Sequence, residues 1–484
     1  KTLLLIGDFY VALKIILQLF NFSLIFIMFD ILIIGSGPAG YTCALRAGQL
    51  GKKVALIEKE KIGGVCLNLG CIPTKAYLHL TEILRRSAEL DSAGIKFSPP
   101  AIDIPMMRGW VFKNVNRLTN GIEYLLKKRN CEVIREEGEI ISEGKVRLKN
   151  SKEVISAQNI VLALGSLPSA LKEIPFDGKS VVNSDFLLQP EEIPKSLLVV
   201  GAGAIGLEMA TIYSRLGSEV IVIEIMNQIL PGIDEEIAQR LQKILEQEGI
   251  KFYLSSQILG REDEKLFLIK DREGKKLRLE AEKVLVAIGR KPNTEGLEKV
   301  GIEKDARGFI ITDENFQTNL KNVFAIGDCS SPPLLAHKAM FEGKKLAEII
   351  ALGRRSFPKD YKRFIPNCIY TDPEVAVVGL SEREAKEKGL NPRVYRVPLS
   401  AIGRAYTLGR TEGFAKVVLS ETGEILGFSL LSPLASELIS EITLFLSNKI
   451  KVEETENLIH PHPTLSEIIS ETLEKILGKS IHTL

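Results

Sequence analysis

Two stretches of this 484-residue chain repeat one design, and they constrain its fold more than any other feature. Phe29 to Gly40, FDILIIGSGPAG, and Leu197 to Gly206, LLVVGAGAIG, each run from an apolar strand-like segment into a GxGxxG turn and then a helical pattern. Placing Gly35 on Gly201 aligns them without a gap: Leu50-Gly51 falls on Leu216-Gly217, Val54 on Val220, and Glu58 on Glu224. Each acid stands 23 positions after its first glycine. The pattern is that of a dinucleotide site: glycines permit a tight turn and close backbone approach, the helix N-terminus faces the pyrophosphate, and the acid accepts ribose hydroxyls. One such match is weak evidence. Two in register predict two nucleotide units, held by Gly35, Gly37, Gly40 and Glu58 in the first and by Gly201, Gly203, Gly206 and Glu224 in the second.

Between the units lies Gly63 to Lys75, GGVCLNLGCIPTK, which places Cys66 and Cys71 five residues apart. Two thiols this close can open and close a small disulfide ring, a two-electron store. A structural disulfide and half a metal site are the other readings. A zinc site normally brings a second Cys or His pair at short spacing, and none follows. The remaining cysteines, at 43, 131, 329 and 368, are scattered, so this is not a secreted disulfide framework. Two nucleotide sites flanking a dithiol suggest two cofactors and an electron path, with a flavin nearest the dithiol and a nicotinamide at the second site. After Glu224 come Ile225, Met226, Asn227 and Gln228, with no arginine for a 2′-phosphate, which favours NAD over NADP.

The rest of the chain supports an α/β fold with two Rossmann-like units and a C-terminal α+β domain. Ile160 to Gly165 (IVLALG), Val284 to Gly289 (VLVAIG) and Val323 to Gly327 (VFAIG) read as buried strands ending in glycine, and Asp328 is placed to bind a ribityl hydroxyl. Helices are predicted over Thr81–Ala93 and Met107–Asn130. Past a linker around Gly353 to Pro366, strands are expected at Ile369–Leu380, Val394–Val397, Ala415–Ser420 and Ile425–Leu431, then helices at Ala435–Asn448 and Leu465–Leu477. Sixty-three basic against 61 acidic residues, without a long block of one sign, give no electrostatic case for nucleic-acid binding. Residues 1–28 are apolar from Ile15 onward but broken by Gln18, Asn21 and Ser23, and fall short of the ~20 residues a spanning helix needs. They read as an extension outside the fold, with a membrane role disfavoured.

Five histidines are present. His460 and His462 flank Pro461, and Glu467 follows just inside a helix expected to open at Thr464. A carboxylate holding one imidazole nitrogen fixes the tautomer and strengthens the base. A thiol exchanging with a disulfide needs such a base, because free Cys with a pKa near ~8.5 is only slightly ionised at neutral pH. His337 reads as packed near a helix start, and His79 and His482 as surface positions.

GGVCLNLGCIPTK, AIGDCS, LLAHKA, YTDPEVAVVGLSE, TEGFAKVVLSETGEILG and HPHPTLSE, in this order, resemble the dihydrolipoamide dehydrogenases, flavoprotein disulfide reductases of the glutathione reductase type. The resemblance runs from Met28 to the C-terminus. It implies an FAD domain over 29–165, an NAD domain over 166–285, a central segment over 286–355 that returns to the FAD domain, and a dimerisation domain over 360–484. It implies a homodimer in which Cys66 is the interchange thiol, Cys71 lies beside the flavin, and His462 with its orienter Glu467 reaches in from the partner chain. By the same resemblance Lys75, Gly165, Asp328 and Ala336 join the FAD site, Gly289 joins the NAD site, and Glu208 lies near the nicotinamide path. The implied reaction is cytoplasmic oxidation of dihydrolipoyl groups on 2-oxo acid dehydrogenase or glycine-cleavage complexes. Electrons pass through Cys71 to FAD and on to NAD+. Three positions depart from the usual pattern: ALG at Ala163 to Gly165, Pro461 between the histidines, and Cys329, expected to be a packed small hydrophobe. The rivals are a mercuric reductase, disfavoured because no cysteine follows Cys368, a glutathione reductase, disfavoured by the missing arginines, and a non-catalytic FAD-binding subunit.

Overall fold

The computed structural model describes residues 28–98, 100–353, 357–358 and 360–483; the extension expected over 1–28 lies outside them apart from Met28. The first motif folds as β1 (Phe29–Ile34), α1 (Pro38–Gln49) and β2 (Val54–Ile57). Then come α2 (Gly64–Leu69), α3 (Cys71–Glu89) and α4 (Ile104–Lys128). β3 (Cys131–Ile134), β4 (Gly138–Ser142), β5 (Lys145–Leu148) and β6 (Val154–Leu162) complete the first run. The sheet order is β3-β2-β1-β6-β5-β4. β1 pairs in parallel with β2 and β6, and Ile31, Leu32 and Ile33 are fully buried. A strand covered on both faces has no polar side, which is why this segment reads as an unbroken apolar run.

The second motif repeats the plan. β7 (Val181–Val182), β8 (Ser196–Val200), α5 (Ala204–Arg215), β9 (Glu219–Ile223), α6 (Glu235–Gln247), β10 (Lys251–Tyr253) and β11 (Lys283–Val286) form this unit. Its parallel sheet runs β10-β9-β8-β11-β7, with the motif strand again central. β12 (Val323–Ala325) then returns to the first sheet beside β6, and α7 (Ala336–Leu352) packs on α1. The last unit is the antiparallel sheet β13 (Asn367–Ile369), β14 (Glu374–Gly379), β15 (Arg393–Pro398), β16 (Phe414–Leu419) and β17 (Ile425–Ser432), ordered β13-β14-β17-β16-β15. It is covered by α8 (Ala435–Asn448) and α9 (Glu467–Ile476).

Two expectations change. The helix predicted from Thr81 begins at Cys71 and runs to Glu89. The glycines just before it and its own proline disguise its start, yet Gly70 is the N-cap, outside the helix, and Pro73 lies in the first turn, where the missing N–H has no intrahelical partner to lose. The strand predicted over Ile369–Leu380 divides into β13 and β14, with Thr371 to Pro373 in the turn between them.

That turn ties three units together. Asp372 receives Arg215 Nη2 from the end of α5 at 2.9 Å, Arg85 Nη1 from α3 at 3.5 Å, and Arg410 Nη2 from the approach to β16. An apolar cluster spanning the same units, with Tyr77, Leu78, Leu207, Tyr213, Ile369 and Leu431, surrounds this point. Burial pushes the Asp372 carboxyl up, but the guanidinium charges of Arg410, Arg215 and Arg85 hold it below the usual carboxylate range. Removing one partner of a buried ion pair costs about 3–5 kcal/mol, so Asp372→Ala is expected to lower the free energy of unfolding by that order and the melting temperature with it. Because folding depresses this pKa, its stabilisation is full above the unfolded value of ~3.9 and fades as pH falls through the folded value. Thermal unfolding of wild type and Asp372→Ala as a function of pH checks this: the gap between them must narrow on the acid side.

Candidate active site

The two glycine turns share their packing detail as well as their sequence. Gly35 and Gly201 adopt φ of 97° and 105°, and a Cβ on either would sit 2.3 Å from Ala163 O or 2.5 Å from Ala287 O. A Cβ on Gly40 or Gly206 would lie 1.8 or 2.0 Å from the carbonyl of Gly35 or Gly201, so helix and turn touch backbone to backbone. Around Gly37 and Gly203, by contrast, a Cβ would meet nothing within 4 Å. That open space lies at the N-terminus of α1 and of α5, where N–H groups favour a phosphate. The acids are fixed alike. Glu58 Oε2 accepts from Ser36 N–H at 2.8 Å and from its hydroxyl at 2.6 Å. Glu224 Oε2 accepts from Ala202 N–H at 2.7 Å, and Oε1 from Met226 N–H at 2.9 Å.

The remaining candidates near the first cradle fall into two groups. Gly165 follows β6, and the neighbouring Ser166 hydroxyl donates to Asp328 Oδ2 at 2.7 Å while accepting from Arg290 Nε at 2.8 Å. Ala336 is the first residue of α7 and so adds its N–H to a helix N-terminus. Gly289 lies beyond β11 at the second unit, with φ 114°. Cys329 is fully buried, its thiol pushed up to about 11 by burial, which is the packed hydrophobe expected.

Cys66 lies inside α2 and Cys71 is the first residue of α3; both stand as free thiols, the reduced form of the pair. They are not equivalent. The Cys66 thiol donates to Cys71, and the Lys75 ammonium one turn further on adds its charge, so that Cys71 is brought down to about 7 against the effect of burial. Cys66 is driven upward, chiefly as the donor in that same bond. The thiolate of the reduced pair therefore belongs to Cys71, at a helix N-terminus that also favours negative charge.

Lys75 Nζ in turn lies 2.8 Å from Glu208 Oε2 on α5 and 4.4 Å from the centre of the Tyr370 ring. Tyr370 N–H donates to Glu208 Oε1 at 3.0 Å. Burial alone would lower the lysine; the carboxylate overrides it, and Lys75 stays charged. The dithiol helix is thus joined to the first helix of the second nucleotide unit, and Glu208 and Lys75, expected at different cofactors, meet as one pair.

His462 stands at the other end of the chain. Its Nδ1 is 2.8 Å from Glu467 Oε1, and its ring is 74% exposed. Glu467 is the first residue of α9, not an interior position of a helix opened by Thr464; the Thr464 N–H instead donates to Glu467 Oε2 at 2.8 Å. Those two bonds hold the Glu467 carboxyl low although burial opposes them. Among the described residues no hydrogen bond or ion pair links this couple to the dithiol of the same chain. His460, expected only as part of the loop, is 7% exposed with Nε2 3.0 Å from Glu441. His337 lies at the start of α7 as expected but is exposed rather than packed, near the Pro366 carbonyl, and His482 pairs with Glu471.

The pyridine nucleotide-disulphide oxidoreductase model matches residues 29–343, and the dimerisation domain of the same group matches 365–473. The chain belongs to the pyridine nucleotide-disulphide oxidoreductase family. Among relatives of this oxidoreductase, dihydrolipoyl dehydrogenase of Thermus scotoductus is 44% identical, covering 94% of this chain and 99% of the relative. The mitochondrial dihydrolipoyl dehydrogenase of Pisum sativum is 38% identical, with 94% and 92% covered. Among solved structures, LpdA from Mycobacterium tuberculosis superposes with a TM-score of 0.84 at 26% identity, covering 92% of this chain and 99% of that one. The cofactors of the oxidoreductase are FAD and NAD(H), and the open glycine cradles with their backbone-held acids fit two dinucleotides.

Sequence reasoning missed Ser36, Ser166, Arg290 and Tyr370. Ser36 was legible, since it stands between the first two glycines; the others come from remote segments brought in by the fold. Titration of the reduced protein is expected to show one thiolate forming near pH 7, assigned to Cys71 by alkylation and peptide mass mapping. Lys75→Met should move that midpoint upward, and an unmoved midpoint would remove Lys75 from the account.

Proposed function

We propose that the chain is a dihydrolipoyl dehydrogenase, oxidising protein-bound dihydrolipoyl groups and reducing NAD+ as a homodimer. The observation that carries this is the unequal dithiol at the foot of α3, with its low thiol one turn from the Lys75–Glu208 link between two nucleotide cradles. In the oxidised enzyme a substrate thiolate attacks Cys66 Sγ. The Cys66–Cys71 bond breaks and Cys71 leaves as the thiolate its surroundings already favour. The second substrate thiol then attacks the sulfur that the substrate shares with Cys66, closing the lipoyl disulfide and releasing Cys66, which takes up a proton. Two electrons have entered the dithiol and two sulfurs of the substrate are joined.

Proton traffic falls to His462 of the partner subunit. Nδ1 is committed to Glu467, so Nε2 is the nitrogen free to accept the substrate thiol's proton and return it to Cys66. Its exposure in the single chain, on the family's dimerisation domain, supports the view that the site closes across the dimer. Bound FAD and NAD+ supply the onward path for the electron pair. Gly35, Gly37, Gly40, Glu58, Lys75, Gly165, Asp328 and Ala336 would hold the flavin nucleotide. Gly201, Gly203, Gly206, Glu224 and Gly289 would hold NAD+, with Glu208 on its approach. The exposed Ile225 and Met226 after Glu224 offer no cation to a 2′-phosphate, which supports NAD over NADP. The partners are lipoyl domains of 2-oxo acid dehydrogenase or glycine-cleavage systems, in the cytoplasm.

Anaerobic mixing of the holoenzyme with dihydrolipoamide and NAD+ tests the reading: NADH must appear, and Cys66→Ser must abolish it. Absence of NADH, or turnover surviving in Cys66→Ser, would falsify it. His462→Gln is expected to lower kcat by about 10²–10⁴-fold, the usual worth of a positioned base, with Glu467→Gln in the same direction and smaller.

A further inference from the structure

One fully buried ion pair has no part in the reaction just described. Lys338 and Glu342 lie one turn apart on α7, with side chains 0% and 1% exposed and Nζ 3.2 Å from Oε1. Neither is used up by the other. Lys338 Nζ donates to the carbonyls of Gly327 at 3.1 Å and Ser331 at 2.6 Å. Glu342 Oε2 accepts from Gly327 N–H at 2.8 Å, and its Oε1 accepts from the Tyr361 hydroxyl at 2.5 Å. Both backbone polar groups of Gly327 are therefore held by one ion pair.

Gly327 is the point where β12 gives way to Asp328. Its φ is +77°, and a Cβ there would come within 3.0 Å of Ala39 Cβ on α1, so the turn is pressed against the helix of the first nucleotide cradle. Asp328 is steadied from the other side by the Ser166 hydroxyl. A buried ion pair is a poor device for stability alone, since an apolar pair of similar volume often serves as well or better. What an apolar pair cannot do is grip the N–H and the C=O of one residue at once.

We propose that Lys338 and Glu342 are positioning residues for the flavin nucleotide: they clamp Gly327 so that Asp328 is presented to the ribityl chain of FAD. This rests on the FAD assignment of the first cradle. Tyr361, reaching Glu342 from the segment that leads into the dimerisation domain, closes the clamp from outside.

The test is a double-mutant cycle on FAD affinity, read by flavin fluorescence as FAD is titrated into apoprotein. Glu342→Leu alone strands the Lys338 charge, so the neutral pair Lys338→Met/Glu342→Leu carries the comparison. It is expected to fold with a lower apoprotein melting temperature, because the buried Gly327 N–H loses its partner, and to bind FAD at least ~10-fold more weakly. In an Asp328→Ala background the same pair should add less than ~2-fold, because its effect acts through Asp328. Wild-type FAD affinity in the neutral pair, or a full multiplicative loss on top of Asp328→Ala, overturns the clamp. Failure of the wild-type apoprotein to bind FAD at all overturns the cofactor assignment itself, and the clamp with it.

Discussion

Lys75 Nζ sits 2.8 Å from Glu208 Oε2, and this ion pair is where the two nucleotide units and the dithiol become one site. Lys75 is on the helix that Cys71 opens, and Glu208 is on the helix that the second glycine turn opens. The pair therefore fixes the distance between the dithiol helix and the second nucleotide unit. The same ammonium lowers Cys71, while the Glu208 charge works against that effect. Both charges act on the site: the lysine favours a thiolate, and the glutamate keeps a partly buried lysine charged.

The link is stiff because it does not act alone. Tyr77 and Leu78, on the next turn of the dithiol helix, enter an apolar cluster with residues of the second nucleotide unit and of the C-terminal sheet. Tyr77 and Tyr213 donate to the carbonyls of Leu188 and Leu187 at 3.2 and 2.7 Å, so two large side chains from different units end on one short segment. Further along α3, Arg85 reaches Asp372 beside Arg215 and Arg410. Lys416, 3% exposed on β16, meets Asp234, Glu236 and Glu382 and so joins the C-terminal sheet to α6. A nonpolar contact would allow sliding. These charge-assisted contacts, by contrast, specify a position.

How much of this was legible depended on whether the information was local. The two glycine motifs align by sequence alone because each glycine answers a backbone constraint within its own βαβ unit, and the structure finds the same close contacts in both. The α8 boundaries Ala435 and Asn448 match the reading because its apolar face is continuous. The start of α3 was missed, since glycine and proline usually break helices; here Gly70 precedes the helix as its N-cap and Pro73 is excused by its first-turn position. Tyr370, Ser166 and Arg290 could not be found from spacing, because each meets its partner across more than a hundred residues. Lys338 and Glu342 show an ordinary i,i+4 spacing that most often marks a solvent-facing helix surface. Burial, which no pattern of charges announces, is what sets this pair apart.

The asymmetry of the dithiol also explains why the base stands where it does. Cys71 is drawn down by Cys66 and Lys75 of its own chain, so the proposed mechanism asks no external base of it. Cys66 has the opposite character: as donor to Cys71 its thiol is held up, so a proton must be moved by another group whenever Cys66 exchanges with substrate. A histidine packed permanently against the pair would block the substrate sulfur from Cys66. In the proposed dimer a histidine carried on the dimerisation domain, with one nitrogen fixed by Glu467 and the ring left 74% exposed, would face the substrate from the far side of the cleft and leave the approach to Cys66 open. On the proposed reading the division of labour between subunits follows from the unequal thiols: the chain that stores the electrons would supply its own thiolate, and the facing chain would handle the proton.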